Sequence, residues 1–292
     1  MRFLITGASG QLGAYLLREL STGGDAVSAW TGARSETLFG IPFEPVNLAN
    51  ADQVADAFQR ARPTTIIHAA ALATVAACYR DPQNALEINT RGTARLAELA
   101  AAAGARLVLV STDLVFDGNG SWYTEGDAPA PLSVYGRSKL AAEQVVLAAP
   151  RAAVARVSLL FGPTLNGREA FFGAQVSALR ERKPLTCFTD EWRTPLGLAA
   201  AARALVALAR SDFQGVLHVG GPERLSRWEM GQQLAAALQL DPGVLVPATR
   251  DQLAAPEPRP RDVSLDSSQW RHRFPAQPCL TFAEALREMM PA

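Results

Sequence analysis

The chain has 292 residues, 48% of them hydrophobic, with 28 basic side chains against 28 acidic ones. That length holds one large α/β domain, or one domain with a smaller lobe, and the apolar share is ample for a core. Balanced charge without a long basic run excludes nucleic acid and a membrane surface as partners.

The first apolar run, Phe3–Thr6, predicts a buried parallel strand. Gly7, Gly10 and Gly13 follow at G-x-x-G-x-x-G spacing, and Gln11–Ser21 reads as a helix. Strand, glycine turn and helix in that order build a phosphate site. The glycines allow a tight turn and close approach, and the helix start offers unpaired N–H groups. The residues predicted to hold a dinucleotide here are Gly7, Ser9, Gly10, Gln11, Leu12 and Gly13.

Further strands are predicted at Ala26–Trp30, Thr65–His68, Leu107–Ser111 and Ala153–Val157, and helices at Ala51–Ala61, Pro82–Ala103 and Val134–Ala148. This alternation predicts an α/β, Rossmann-type doubly wound parallel sheet with ligands beyond the carboxyl ends of the strands. Residues 1–160 form mainly that domain. Residues 161–292 form mainly a substrate-binding lobe, with segments around 195–220 returning to the first domain. In the lobe, Phe161–Asn166 reads as a loop, Glu169–Arg182 and Leu196–Arg210 as helices, and Val216–Val219 as a strand. Ser226 and Glu229 suit a capping box for a helix running to Leu240. Pro242 to Pro260 holds five prolines and reads as an ordered loop, and Thr281–Met290 as a closing helix.

Cys78, Cys187 and Cys279 lack metal-ligand spacing and read as small core residues in a reducing compartment. His68 and His218 read as core residues, and no metal site is expected. No signal peptide precedes the first strand, and no stretch reaches the ~18 apolar residues of a membrane span. The expected location is cytoplasmic. Long helices such as Pro82–Ala103 offer a face for a homodimer.

Tyr135 and Lys139 carry the chemistry. Their i, i+4 spacing puts phenol and ammonium on one helix face. At an effective dielectric of ~20 and a separation of ~5 Å, the attraction between phenolate and ammonium is roughly 3 kcal/mol, enough to draw a phenol down by about two pKa units. An isolated Y-x-x-x-K is common on protein surfaces; the glycine turn of the same domain gives this one its meaning.

These motifs together resemble the extended short-chain dehydrogenase/reductases, and within them the dTDP-4-dehydrorhamnose reductase group. The resemblance is carried by Thr6–Gly13, His68–Ala71, Glu87–Asn89, Ser111–Gly118, Tyr135–Lys139, His218–Gly221 and Arg259–Asp266. It implies a nicotinamide that delivers hydride to a ketone carbon, with Tyr135 as proton donor, Lys139 bound to the nicotinamide ribose and Thr112 bonded to the carbonyl oxygen. Asn89 matches the asparagine that supports the lysine, and Ala69, Ala70 and Ala71 line the cofactor. Asn47 and Leu48 match the adenine-side loop, with Asn47 standing where the group often has Asp. The related dehydratases have Thr-Asp-Glu where this chain has Thr112-Asp113-Leu114, so dehydration is not expected.

The tip of the second strand carries no acid for a ribose 2′-OH. Arg34, helped by Thr31, is placed to take a 2′-phosphate, which favours NADPH over NADH; the alternative is an exposed turn arginine. Asp113, Val115, Trp192, Arg193 and Arg261 are the substrate-side candidates, since arginines grip pyrophosphate and tryptophan stacks on a base or sugar. The implied substrate is a nucleotide-linked 4-keto-6-deoxy sugar. Two alternatives stay open: an epimerase of the same superfamily, and a non-catalytic NADP-binding regulator resembling the regulatory subunit of methionine adenosyltransferase.

Overall fold

The computed structural model describes residues 1–167 and 170–289. Strands β1 (Arg2–Thr6), β2 (Ala26–Thr31), β3 (Thr37–Leu38), β4 (Ile41–Pro45), β5 (Thr65–His68), β6 (Arg106–Thr112) and β7 (Ala152–Val157) come first. Short pieces β8 (Leu160–Phe161), β9 (Leu185–Phe188), β10 (Trp192–Arg193) and β11 (Leu196–Gly197) follow. Then come β12 (Gly215–Val219), β13 (Leu225–Ser226) and β14 (Leu245–Ala248). The central sheet has eight strands in the order β12-β7-β6-β5-β1-β2-β4-β3. Only its β3–β4 edge is antiparallel. That edge hairpin has no counterpart among the predicted strands, because Pro42 and Pro45 break the apolar alternation.

Alternate residues of a strand face opposite layers. Phe3 and Ile5 enter a core with Leu16, Leu17 and Leu205, while Leu4 joins Leu96 and Val146 on the other side. The helices supplying these layers are α1 (Gln11–Ser21), α2 (Ala51–Ala61), α3 (Val75–Arg80), α4 (Pro82–Ala85), α5 (Gly92–Ala102), α6 (Val134–Leu147), α7 (Phe171–Arg180) and α8 (Leu198–Arg210). Both sheet faces are covered, so β5, β6 and β7 are buried at every position and carry apolar runs such as Leu107–Val110 rather than an alternation. The predicted continuous helix Pro82–Ala103 is instead α4 and α5 joined by a wider π turn, Leu86–Arg91.

The lobe packs α7, α9 (Arg227–Ala237) and α11 (Phe282–Met289) around Phe161, Leu225 and Leu286, whereas the short α10 (Ser268–Arg273) sends Trp270 into the core beside the central sheet. Ser226 and Glu229 form the predicted capping box. The proline-rich stretch is not all loop: Leu245–Ala248 pairs in parallel with β9, a contact between segments about sixty residues apart that local sequence does not signal. The predicted helix Glu169–Arg182 is seen from Phe171 to Arg180, and Glu169 and Met290 lie outside the described residues. Cys78 and Cys187 are core residues as expected, whereas Cys279 is exposed. No helix among the described residues is long and apolar enough to cross a membrane.

Candidate active site

Two adjoining clefts open at the carboxyl ends of the central strands. One, of about 340 Å³, lies beside the glycine turn, and the other, of about 440 Å³, extends from it toward the lobe. Gly7, Gly10, Ala69 and Ala71 line both. Gly7 sits at φ +71°, and a Cβ there would lie 2.7 Å from the Ala70 nitrogen. Gly10 caps α1 without a side-chain hydrogen bond, so the helix start is left to a ligand. Ser9, Thr31, Asn47, Leu48 and Ala70 complete the first cleft, and Gln11, Leu12 and Gly13 the second.

The reactive pair stands on α6. Ser133 caps this helix by accepting from the Gly136 nitrogen at 3.0 Å. Gly136 lets the helix press onto the turn after β6: a Cβ there would lie 2.3 Å from the Leu114 carbonyl oxygen. That contact brings Tyr135 against Thr112. Thr112, Asp113, Tyr135, Lys139, Ser158 and Arg193 all line the larger cleft. Burial pushes the Tyr135 phenol up, Asp113 and Cys78 push it further, and a hydrogen bond with Thr112 opposes them. This differs from the expectation that Lys139 draws the phenol toward neutrality: desolvation dominates, and Thr112 rather than Lys139 is the group that opposes it. Lys139 is itself 2% exposed, and burial lowers it to about 8 against the pull of Glu143.

Asp113 is anchored rather than free. Its oxygens accept from Thr112 at 3.2 Å and Ser158 at 3.0 Å, and Arg193 stands 3.8 Å away. Burial raises its carboxyl, with Arg193 and the two hydroxyls pulling it back. Asn89 does not line either cleft. It holds Leu72 through both amide ends and donates to the Ser138 hydroxyl at 2.9 Å, fixing the residue before Lys139. His68 is locked between Thr6 and Thr93 at 2.6 and 2.8 Å.

Several substrate and cofactor candidates fall elsewhere. Val115 is fully buried in a small core with Phe116, Val263 and Leu265, because the 3₁₀ turn after Thr112 rotates it inward. The guanidinium groups of Arg224 and Arg261 both lie over the Trp192 ring, at 4.6 and 5.2 Å, and neither Trp192 nor Arg261 lines the clefts. Arg34 pairs with Glu36 at 2.8 Å, also outside the lining. Arg156, at a strand end, is buried against Glu143 rather than turned to a ligand. No cluster of acid, His or Cys side chains among the described residues suits a metal ion.

Sequence reasoning missed Arg227, the first residue of α9. It lines the larger cleft, and its Nη1 is buried without a partner among the described residues. Burial and the neighbouring Arg193 lower it to about 10. Its only signal in the sequence was its place beside the capping Ser226.

The chain matches the model of the RmlD substrate binding domain over residues 1–292. It is 32% identical over 276 residues to methionine adenosyltransferase 2 subunit beta of Danio rerio, covering 92% of this chain and 83% of that protein. It is 30% identical to the dTDP-4-keto-6-deoxy-D-glucose reductase of Streptomyces niveus, covering 92% and 90%. The crystal structure of dTDP-4-dehydrorhamnose reductase from Bacillus anthracis in complex with NADP superposes with a TM-score of 0.88 at 26% identity, covering 99% of this chain and 98% of that one.

Proposed function

Since the chain belongs to the RmlD substrate binding domain family, we propose that it is an NAD(P)H-dependent reductase of a nucleotide-linked 4-keto-6-deoxy sugar. The observation that carries this reading is one cleft lined at once by the glycine turn and by Thr112, Tyr135 and Lys139. The uncapped helix start, the glycine backbone and the small Ala69–Ala71 wall fit a dinucleotide pyrophosphate and its ribose. When bound, that cofactor supplies the hydride.

The side chains of the cleft do the rest. Tyr135 and Thr112, hydrogen-bonded to each other at the wall of the cleft, flank the position we assign to a ketone oxygen, where Tyr135 donates and Thr112 adds a second donor by turning its proton away from Asp113. Tyr135 gives the oxygen its proton; a phenol held above its ordinary value stays protonated throughout the neutral range, as a donor must. Lys139 supplies positive charge beside the phenolate that is left, and orients the ribose. Asp113, fixed by Ser158 and Arg193, presents a carboxyl edge to sugar hydroxyls. Arg193 and Arg227 form the cationic lobe side of the cleft, suited to the diphosphate. Arg34 lies in a surface pair of small worth and is able to turn to a 2′-phosphate, so NADPH is the preferred form.

The likeness to methionine adenosyltransferase subunit beta supports a second reading, a regulator that binds NADP(H) without turnover. Oxidation of NADPH in the presence of dTDP-4-keto-6-deoxy sugar decides between them. Tyr135→Phe should lower turnover by roughly 10²–10⁴ with NADPH affinity intact. If wild type binds NADPH and oxidises none with any ketosugar offered, the reductase reading fails.

A further inference from the structure

Behind the cleft lies a buried ionic network that the reaction as described does not use. Glu143 is 1% exposed, one helical turn after Lys139 and two after Tyr135 on α6. Both its oxygens accept from Arg156 of β7, at 3.1 Å from Nε and 2.7 Å from Nη2, and the Ser111 hydroxyl of β6 donates to it as well. Arg156 continues to His218 of β12 at 3.4 Å and lies over the Phe116 ring. A buried ion pair of this kind is weak grounds for stability, because desolvation of both charges offsets their attraction.

We propose that Glu143 is a positioning residue for the reduction: clamped by Arg156 and Ser111, its carboxylate keeps Lys139 an ammonium beside the phenol that donates the proton. This rests on the reading of Lys139 as the cation of the site. Lys139 is buried, and its ammonium has no hydrogen-bond or ion-pair partner among the described residues. The titratable groups that interact with it are Glu143 on its own helix, Cys78 on α3 and His68 on β5. Of these, Glu143 is the foremost that favours its charged form, against a dominant cost of burial. Residue choice points the same way. Lys139 and Lys183 are the only lysines among 28 basic residues. The chain uses arginine, which keeps its proton almost anywhere, for nearly every other positive charge. A lysine at position 139 is the one basic side chain in the site whose charge depends on a neighbour.

Two lysines make the test direct. With lysine labelled at the ε-carbon and Lys183→Arg as background, one NMR resonance reports the titration of Lys139. Its midpoint is expected near 8 with Glu143 present. Glu143→Gln should lower it by roughly one unit or more, from one lost charge a helical turn away. The alkaline limb of NADPH-dependent ketosugar reduction should move down in parallel, which a merely structural pair would not cause. Glu143→Gln leaves Arg156 buried alone, and its bare positive charge adds to the drop, so Glu143→Gln/Arg156→Met is read beside it; with both charges gone the drop should be smaller than in the single variant and of the same sign. An unmoved midpoint in either folded variant overturns the proposal. The NMR measurement needs no substrate, so a silent ketosugar assay would count against the assigned reaction and leave the role of Glu143 to its own result.

Discussion

Replacing Arg227 with methionine should separate ligand binding from stability. Its guanidinium lines the larger cleft with one nitrogen buried and unpartnered among the described residues, and the side chain is 16% exposed. One anionic oxygen at ~5 Å and an effective dielectric of ~20 is worth roughly 3 kcal/mol to it. Hydrogen bonds to charged groups contribute about 1.5–3 kcal/mol each. Loss of this contact should therefore weaken binding of a nucleoside diphosphate by about 10- to 150-fold. Stability should not fall with it. Arg227 stands beside Arg193, whose charge it opposes, and Glu191 keeps Arg259 at 2.7 Å when the longer 3.4 Å contact to Arg227 is gone. Calorimetric titration of wild type and Arg227→Met with dTDP, thymidine and NADPH, together with a thermal melt, tests each part. The expected pattern is a large loss for dTDP, none for thymidine or NADPH, and a Tm that holds or rises. Unchanged dTDP affinity in a folded variant would refute the assignment of Arg227 to the anion.

Two further outcomes follow from the same geometry. Arg34→Ala should weaken NADPH by about tenfold and leave NADH unchanged, as expected for loss of one partly exposed charge contact; equal loss for both cofactors in a binding titration would make Arg34 a structural turn residue. Burial holds His68 at about 3 and His218 at about 4, both below the ordinary 6.5. Their neutral forms therefore stabilise the fold fully above about 6.5, and this contribution is lost as pH falls toward those values. Unfolding should take up as many as two protons near pH 5, a slope of up to about 2.7 kcal/mol per pH unit. Urea unfolding at pH 7.5, 6 and 5 checks this, and a flat profile would contradict the buried neutral histidines.

What was legible in the sequence was local. The glycine turn, the Tyr135–Lys139 pair and the Ser226–Glu229 cap each lie within one turn or one strand–helix junction, where spacing fixes geometry. What escaped depends on contacts far apart along the chain. Trp192 was placed in the pocket by its neighbours in sequence, yet it bridges to Asp262, and Arg224 and Arg261 lie over its ring. Val115 follows Thr112 by three residues, but a single 3₁₀ turn sends the two side chains to opposite environments. The phenol of Tyr135 was misjudged because a pairwise attraction is computable from spacing, whereas desolvation requires knowing what covers the ring.

The polar groups of the sheet's carboxyl edge divide by whether their bonds close within the protein. His68 closes on Thr6 and Thr93. The Thr93 hydroxyl donates onward to the Asn89 carbonyl at 2.7 Å, so the imidazole Nε2 donates and Nδ1 accepts, a neutral and finished circuit. Asn89 closes on Leu72 and Ser138, and Glu143 on Arg156 and Ser111. Among the described residues the Lys139 ammonium and the buried Nη1 of Arg227 do not close, and both residues line the same cleft. Buried polar groups left unpaired are costly, so a fold that finishes the circuits on either side has little structural use for these two. Two cations on one cleft wall suit an anionic ligand, in an enzyme and in a regulator alike. Tyr135 and Thr112, hydrogen-bonded to each other in that cleft, are what favour the enzyme.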